Sequence, residues 1–139
     1  MNEIRADICI IGAGAAGLSV AAGASQMGAE VVLIEKGKMG GDCLNYGCVP
    51  SKALLAAAKA AQHGREAVKF GVTFVDPQIN FAKVNAHVHD VIAGIAPQDS
   101  QERFEGLGAT VLRAPAVFTC RNRLSAGENT VIAKRFVVA

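Results

Sequence analysis

The first 35 residues carry the pattern that most restricts the fold: an apolar run, a glycine-rich turn, a small-residue helix and a second apolar run. Ala6–Ile11 predicts a buried strand, and the turn Gly12-Ala-Gly-Ala-Ala-Gly17 follows it at once. Leu18–Met27 predicts a helix that Gly28 closes. Glu30–Glu35 predicts a second buried strand that ends on an acid. This order predicts an α/β fold with a parallel sheet.

Each residue of the glycine turn has its own expected task. Gly12 permits the tight turn, Gly14 lets the backbone approach a pyrophosphate, and Gly17 lets the helix pack against the strand. The start of the helix, at Ala15 and Ala16, offers N–H donors and the positive end of the helix dipole to phosphates. The turn therefore predicts a binding site for a phosphate-bearing nucleotide.

The acid at the end of the second strand completes the pattern. Glu35 is placed to accept hydrogen bonds from ribose hydroxyls, and its neighbour Lys36 is included in the predicted site. A G-x-G-x-x-G sequence alone is weak evidence, whereas strand, turn, helix, strand and acid in register form the full dinucleotide fingerprint. We therefore predict a Rossmann-like dinucleotide-binding domain.

A second motif holds the cysteines Cys43 and Cys48 in a C-x₄-C arrangement. A regular helix would place such positions about 7.5 Å apart along its axis and roughly 140° apart around it. Their Cα atoms would then exceed the ~7 Å limit for a disulfide, so pairing requires a distorted helix. Gly47 makes distortion inexpensive, and Pro50 removes a helical N–H. We interpret the pair as a redox couple that opens and closes; a structural disulfide or half of a metal site are the alternatives.

The two motifs together resemble the N-terminus of the pyridine nucleotide–disulfide oxidoreductases. The resemblance rests on the dinucleotide pattern followed by Gly40-Gly-Asp-Cys-Leu-Asn-Tyr-Gly-Cys-Val-Pro-Ser-Lys52, and Ser51-Lys52 favours the dihydrolipoamide dehydrogenase and mercuric reductase branch. It implies that the nucleotide is FAD. It further implies a homodimeric enzyme that passes electrons from NAD(P)H through flavin to the disulfide. A small-molecule disulfide, a dithiol or a metal ion would be the substrate.

The resemblance also implies roles for the redox residues. Cys43 would be the interchange thiol that faces the substrate, and Cys48 would form the thiolate against the flavin. Lys52 would approach the flavin and favour negative charge on the reduced ring.

Further cofactor contacts follow from the same resemblance. Gly41 and Asp42 would lie at the phosphates, with Asp42 standing where relatives often carry Thr. The stretch Ala114–Phe118 resembles the segment whose backbone meets the adenine, with Ala116 as the contact.

The resemblance covers this whole chain, but the chain covers only the first part of such an enzyme. We expect residues 1–139 to be the N-terminal part of the FAD-binding domain, incomplete, with the redox-active helix at 42–62. The nicotinamide and dimerisation domains, and with them the acid/base histidine, are expected to be absent. We expect no NAD(P)H–disulfide reductase activity from these residues alone and only marginal stability, because the strand Arg135–Ala139 would leave open apolar sheet positions.

The composition argues against nucleic acid and membranes as partners. The net charge of +2 is too small to favour nucleic acid or a membrane surface. No apolar run approaches the ~20 residues of a spanning helix, and Glu3, Arg5 and Asp7 interrupt any apolar leader, so a cytoplasmic location is expected. Cys9 and Cys120 are expected to be inert, and we expect no resident metal site. A non-catalytic dinucleotide-binding module, or a truncated remnant with structural cysteines, is the alternative function.

The remaining sequence predicts helices followed by a small antiparallel β-meander. Residues 51–62 and Phe81–Ile95 have helical patterns, and Asp99 with Glu102 resembles a capping box for a further helix. Other predicted elements are a connector with a short extended piece at Phe70–Asp76, strands at Thr110–Leu112, Ala116–Cys120 and Thr130–Ala133, and a turn at Ser125–Asn129.

Overall fold

The fold is an α/β sandwich, and the computed structural model describes residues 2–139. Within them the strands are β1 (Asn2–Ile11), β2 (Val31–Ile34), β3 (Thr110–Leu112), β4 (Ala116–Cys120), β5 (Arg123–Ala126) and β6 (Asn129–Val138). The helices are α1 (Ala15–Gln26), α2 (Gly41–Asn45), α3 (Cys48–Glu66), α4 (Phe81–Ile95) and α5 (Gln101–Gly106). Short 3₁₀ segments, Ala67–Phe70 and Ala96–Asp99, follow α3 and α4.

The strands form one sheet in the order β3-β2-β1-β6-β5-β4. The four strands from β3 to β6 along this order run parallel, and β6, β5 and β4 form an antiparallel meander. The predicted fold class, a parallel sheet with a small meander, is confirmed. β2, the next strand in sequence, lies on one side of β1, and β6, the last strand, lies on the other side. Ligands of open α/β sheets bind at the carboxyl ends of strands beside such a reversal, here between β1 and β6.

Alternate residues of β1 and β2 face opposite sides of the sheet. Ile10 and Leu33 pack on one side against α1 and α5, in a cluster that includes the fully buried Phe104. Cys9 and Val32 pack on the other side against the meander. Because both faces are covered, the first two strands read as nearly continuous apolar runs. The glycine turn that leaves β1 is therefore anchored between two packed layers.

The first strand and helix are longer than the sequence predicted. β1 begins at Asn2 rather than Ala6, because Asn2 to Ala6 pair in register with the start of β6. Helix α1 begins at Ala15 rather than Leu18, since the alanines of the turn adopt helical geometry. Gly28 follows the end of α1 with a positive φ of 83°, as expected for a residue that terminates a helix.

Other boundaries were predicted wrongly. Ser100, and not Asp99, caps α5, and its hydroxyl accepts a hydrogen bond from the Arg103 N–H at 3.2 Å. The stretch Phe70–Asp76 contains no strand. The turn predicted at Ser125–Asn129 is shorter, because β5 extends to Ala126.

The last strand, β6, pairs with β1 along its whole length and with β5 only over its first part. Thr130–Ala133 and Arg135–Ala139 were predicted as separate strands, but they belong to the single strand β6, which ends at Val138. β5 pairs only with Asn129–Ile132, so Arg135–Val138 has β1 on one side and no strand on the other. The predicted open sheet positions beside Arg135–Ala139 are therefore present. The sheet edges are β3 and β4. Many of the exposed apolar side chains lie on α3, α4 and the connector between them, where they include Leu55, Phe70, Phe74, Val75, Ile79 and Phe81.

Asp7, near the middle of β1, contacts Lys134 of β6 and Glu30, the residue before β2. One carboxylate oxygen accepts from the Glu30 N–H at 2.9 Å, and the other lies 2.6 Å from the Lys134 ammonium. Lys134 and then the Glu30 N–H hold the pKa of Asp7 below its ordinary value of 3.8. The ionised carboxylate therefore stabilises the fold above pH 3.8, and this contribution is lost as the pH falls through the lowered pKa.

We predict that Asp7→Asn lowers the unfolding temperature at pH 7 by a small amount, as expected for an exposed ion pair. The difference from the wild-type protein should shrink as the pH is lowered below 3.8. Thermal unfolding followed by circular dichroism measures both effects. Asp90→Asn, which removes an exposed carboxylate from α4, is the charge-matched control. A difference that grows on acidification would contradict the assignment.

Candidate functional site

The three glycines of the turn occupy different environments. Gly12 has a φ of +107°, and a Cβ there would fall 2.1 Å from the carbonyl oxygen of Ala139. A Cβ on Gly17 would fall 1.9 Å from the carbonyl oxygen of Gly12. The positive φ of Gly12 confirms the predicted tight turn, and the short distance at Gly17 confirms the predicted close helix–strand packing. Gly14 differs, because a Cβ there would have no protein atom within 4 Å. The open space beside Gly14 is where the fingerprint predicts a pyrophosphate.

The N-terminus of α1 faces this open space without a side-chain cap. Gly14 is the N-cap residue, no side chain bonds to the cap, and the first turn contains no acid. The first intrahelical bond runs from the Leu18 N–H to the Gly14 carbonyl at 2.9 Å. The N–H groups of Ala15, Ala16 and Gly17 precede that bond and have no intrahelical acceptor. Donors of this kind suit an anion.

Glu35 is held by the backbone on both of its oxygens. Oε2 accepts from the Ala13 N–H at 2.7 Å, and Oε1 accepts from the Gly37 N–H at 2.5 Å. The Arg113 guanidinium donates to the carbonyl of Gly37. Lys36, the other predicted residue of this turn, is exposed. The carboxylate thus has a defined position beside the glycine turn.

The redox segment contacts the glycine turn directly. The Gly40 N–H donates to the Ala13 carbonyl at 2.9 Å. Gly41 follows with a φ of +56°, and a Cβ there would fall 2.7 Å from the Cα of Gly14. Asp42, next in the chain, lies exposed in the first turn of α2. The two motifs that are separate in sequence therefore meet through glycine backbone, where a larger residue would force them apart.

The helix is broken between the two cysteines, as the C-x₄-C spacing predicted. α2 ends at Asn45 and α3 begins at Cys48. The N–H groups of Tyr46 and Gly47 both donate to the Asp42 carbonyl, at 2.9 and 2.6 Å. Gly47 adopts a ψ of −103°, outside helical geometry. The break reorients the chain between the cysteines, so the regular-helix separation does not apply to them.

Both cysteines are free thiols in this structure, and they differ in exposure. Cys43 is half-buried, whereas Cys48 is exposed at the start of α3. The neighbouring Cys48 thiol, through a hydrogen bond, is the main cause that raises the pKa of Cys43. The charge of Lys52 acts in the opposite direction on the pKa of Cys43 and is a smaller effect. The predicted catalytic side chains Cys43, Cys48 and Lys52 are therefore brought together.

Ala116 lies at the start of β4, away from the redox segment in the chain. It is half-buried, pairs with Ala126 and packs on the face of the sheet that the meander covers. Arg113, three positions before Ala116, links this segment to the Glu35 turn through Gly37. Sequence reasoning missed Arg113, Ala13 and Gly37, because their contacts join distant segments. The available signal was positional: Arg113 directly follows a parallel strand, where site residues of α/β sheets collect.

The other thiols lie outside this site. Cys9 is fully buried, as its place in the first strand predicted, and burial raises its pKa to about 12. Cys120 is exposed, with its thiol 3.4 Å from the Asn122 side-chain oxygen. Among residues 2–139, no group of three or more His, Cys, Asp or Glu side chains is arranged to hold a metal ion. Over the same residues, every helix is too short or too polar to cross a bilayer.

The chain is similar in sequence to dihydrolipoyl dehydrogenases and mercuric reductases. A dihydrolipoyl dehydrogenase from Haemophilus influenzae is 36% identical over 132 residues, which span 91% of this chain and 27% of that protein. A mercuric reductase from Lysinibacillus sphaericus is 30% identical over 139 residues, which span 100% of this chain and 26% of that protein. The chain thus spans about a quarter of the length of these relatives.

A solved structure shows the same fold. The HOCl-induced flavoprotein disulfide reductase RclA from Escherichia coli, solved as a Cu(II) complex, superposes with a TM-score of 0.75 at 21% sequence identity. The match covers 94% of this chain and 27% of that one. The family model described as pyridine nucleotide-disulphide oxidoreductase matches residues 6–139, from the first strand through both motifs to the last strand. The chain therefore belongs to the pyridine nucleotide-disulphide oxidoreductase family.

Proposed function

We propose that this chain is the FAD-binding, redox-dithiol portion of an NAD(P)H-dependent flavoprotein disulfide oxidoreductase. The observation that carries the proposal is the contact between the glycine turn and the cysteine segment. The Gly40 N–H bonds to the Ala13 carbonyl, and Gly41 packs against Gly14. A nucleotide bound at the turn would therefore lie beside a segment that carries two neighbouring thiols.

The residues at the turn fit FAD. The free N–H groups of Ala15, Ala16 and Gly17 would hold the pyrophosphate, and the space beside Gly14 would admit it. Glu35 would accept from the ribose. When bound, FAD would supply a two-electron acceptor for hydride from the nicotinamide. The remaining proposed contacts are Lys36, Gly41, Asp42, Lys52 and the backbone of Ala116.

The cysteines would carry electrons to the substrate by thiol–disulfide exchange. The Cys43 thiolate attacks a substrate disulfide, forms a mixed disulfide and releases one substrate thiolate, which takes up a proton. The Cys48 thiolate then attacks the Cys43 sulfur, closes Cys43–Cys48 and releases the second substrate thiolate, which also takes up a proton. The substrate gains two electrons from the cysteine pair and two protons from solvent, which takes up the two thiol protons of the pair. The charge of Lys52, one helical turn after Cys48, acts to lower the pKa of Cys43 and would favour its thiolate.

The wider assignment is part of the same proposal. A small-molecule disulfide or dithiol, or a metal ion, would be the substrate, and NAD(P)H would bind outside residues 1–139. The complete protein would be a cytoplasmic homodimer that needs neither nucleic acid nor a membrane. The relatives named above, dihydrolipoyl dehydrogenases and mercuric reductases, support this range of substrates.

We predict that FAD selectively slows alkylation of Cys48. Without FAD, iodoacetamide should label Cys48 faster than Cys43, because Cys48 is exposed while Cys43 is half-buried and has a raised pKa. With FAD, the rate at Cys48 should fall several-fold, as expected when a ring covers the thiol. Peptide mass spectrometry after timed labelling measures each site.

Cys120 supplies the internal control for this labelling experiment. Its thiol is exposed and lies outside the proposed site, so FAD should leave its rate unchanged. Equal rates at Cys48 with and without saturating FAD would reject the proposed position of the flavin. An equal decrease in the alkylation rate of Cys120 would show that FAD slows labelling throughout the protein rather than at the proposed site.

A further inference from the structure

Arg113 lies where the strand beside β2 ends. The Leu112 carbonyl, at the end of β3, accepts from the Glu35 N–H at 2.9 Å. The guanidinium of the next residue, Arg113, reaches the turn after β2 and donates to the Gly37 carbonyl. Successive residues of one strand end therefore hold both ends of the Glu35–Gly37 turn.

The position of Gly37 in turn determines the orientation of the Glu35 carboxylate. The Gly37 N–H donates to Oε1 at 2.5 Å, while the Ala13 N–H donates to Oε2 at 2.7 Å. A side chain on Gly37 would crowd the same carboxylate, since its Cβ would fall 3.3 Å from Oε1. The contacts thus form a continuous chain from Arg113 through Gly37 and Glu35 to Ala13 in the glycine turn.

Within residues 2–139, the Arg113 guanidinium is in none of the ion pairs with acidic side chains. The ion pairs within residues 2–139 involve other cations, namely Arg5, Arg65, Lys69 and Lys134. Arg113 is exposed, and its side-chain bond is to a backbone carbonyl 76 positions away in sequence. A charged donor to a carbonyl makes a stronger bond than a neutral one, so the contact can fix an exposed turn.

We propose that Arg113 is a positioning residue of the nucleotide site. It holds Gly37 so that the Glu35 carboxylate keeps the orientation needed to accept from ribose hydroxyls. The inference rests on the proposed function, because it assumes that a nucleotide binds at the glycine turn. It adds a residue from a distant strand to a site that the fingerprint confines to the first 36 residues.

The test compares ADP with 2′,3′-dideoxy-ADP, which lacks the ribose hydroxyls, by isothermal titration calorimetry. The wild-type protein should prefer ADP roughly tenfold, the effect of one hydrogen bond to a carboxylate. Arg113→Met and Glu35→Gln should each reduce this preference to about twofold or less. The double variant should show no further loss, because both changes remove the same contact.

Control variants separate positioning from general stability. Arg121→Met removes an exposed arginine of the β4–β5 turn and should leave the preference unchanged. Arg113→Gln gives a second comparison should Arg113→Met unfold, and thermal melts identify the folded variants. A loss of stability alone would weaken both ligands equally and leave their ratio intact.

The outcomes distinguish the inference from the function on which it rests. Full ADP preference in a folded Arg113→Met or Arg113→Gln protein would overturn the role of Arg113 while nucleotide binding stands. Failure of the wild-type protein to bind ADP would overturn the nucleotide site itself, and the role of Arg113 with it.

Discussion

Replacing Gly14 by valine should abolish binding of FAD and ADP while leaving the protein folded. A Cβ at Gly14 has no protein atom within 4 Å, so the side chain would occupy the open space beside the turn rather than displace the core. There it would block the N–H groups at the start of α1. Loss of two hydrogen bonds to a charged group costs about 3–6 kcal/mol, or on the order of a hundredfold or more in affinity. Calorimetry with both nucleotides measures the loss.

Circular dichroism must show that the Gly14→Val protein is folded. We expect a modest decrease in stability of about 1 kcal/mol, because valine is a poor N-cap residue. Gly17→Ala is the contrasting variant: its Cβ would fall 1.9 Å from the Gly12 carbonyl oxygen, so the helix or the turn must shift. Overpacking of this kind typically costs about 1–3 kcal/mol or more and should lower the unfolding temperature clearly. Undiminished affinity in folded Gly14→Val would exclude the turn as the nucleotide site.

The features that the sequence predicted well have local causes. The tight turn at Gly12 and the close packing at Gly17 follow from a short stretch in which only glycine fits. The break between Cys43 and Cys48 follows likewise from helix geometry, a flexible glycine and a proline. Apart from the contact between Gly12 and Ala139, these constraints lie within a few residues of the motif, so the sequence alone was sufficient to predict them.

The features that the sequence did not predict depend on pairing between distant segments. The start of β1 at Asn2 depends on pairing with Asn129, and β6 reaches the centre of the sheet through register with β1 along its whole length. The bond from Arg113 to Gly37 likewise requires β3 to lie beside β2. Ser100 rather than Asp99 caps α5, because Asp99 is the last residue of the preceding 3₁₀ segment. Sequence patterns rarely define a helix boundary to within one residue.

The two cysteines should differ completely in their effect on the flavin spectrum. In FAD-loaded Cys43→Ser protein, the remaining Cys48 thiolate would lie against the flavin and produce a long-wavelength absorption band. In FAD-loaded Cys48→Ser protein, the remaining thiol at Cys43 would face away, and the band should be absent. The structure supports this asymmetry in part, because Cys48 opens α3 and is exposed whereas Cys43 is half-buried in α2.

The absorption spectra of these two FAD-loaded variants, recorded as the pH is raised, test most directly the claim that FAD binds beside Cys48. We expect the band to be present in Cys43→Ser and to stay absent in Cys48→Ser at every pH. Gly14→Val in the Cys43→Ser background should remove it by preventing FAD from binding. A band of equal strength in both single variants, or one that appears only in Cys48→Ser, would contradict the account.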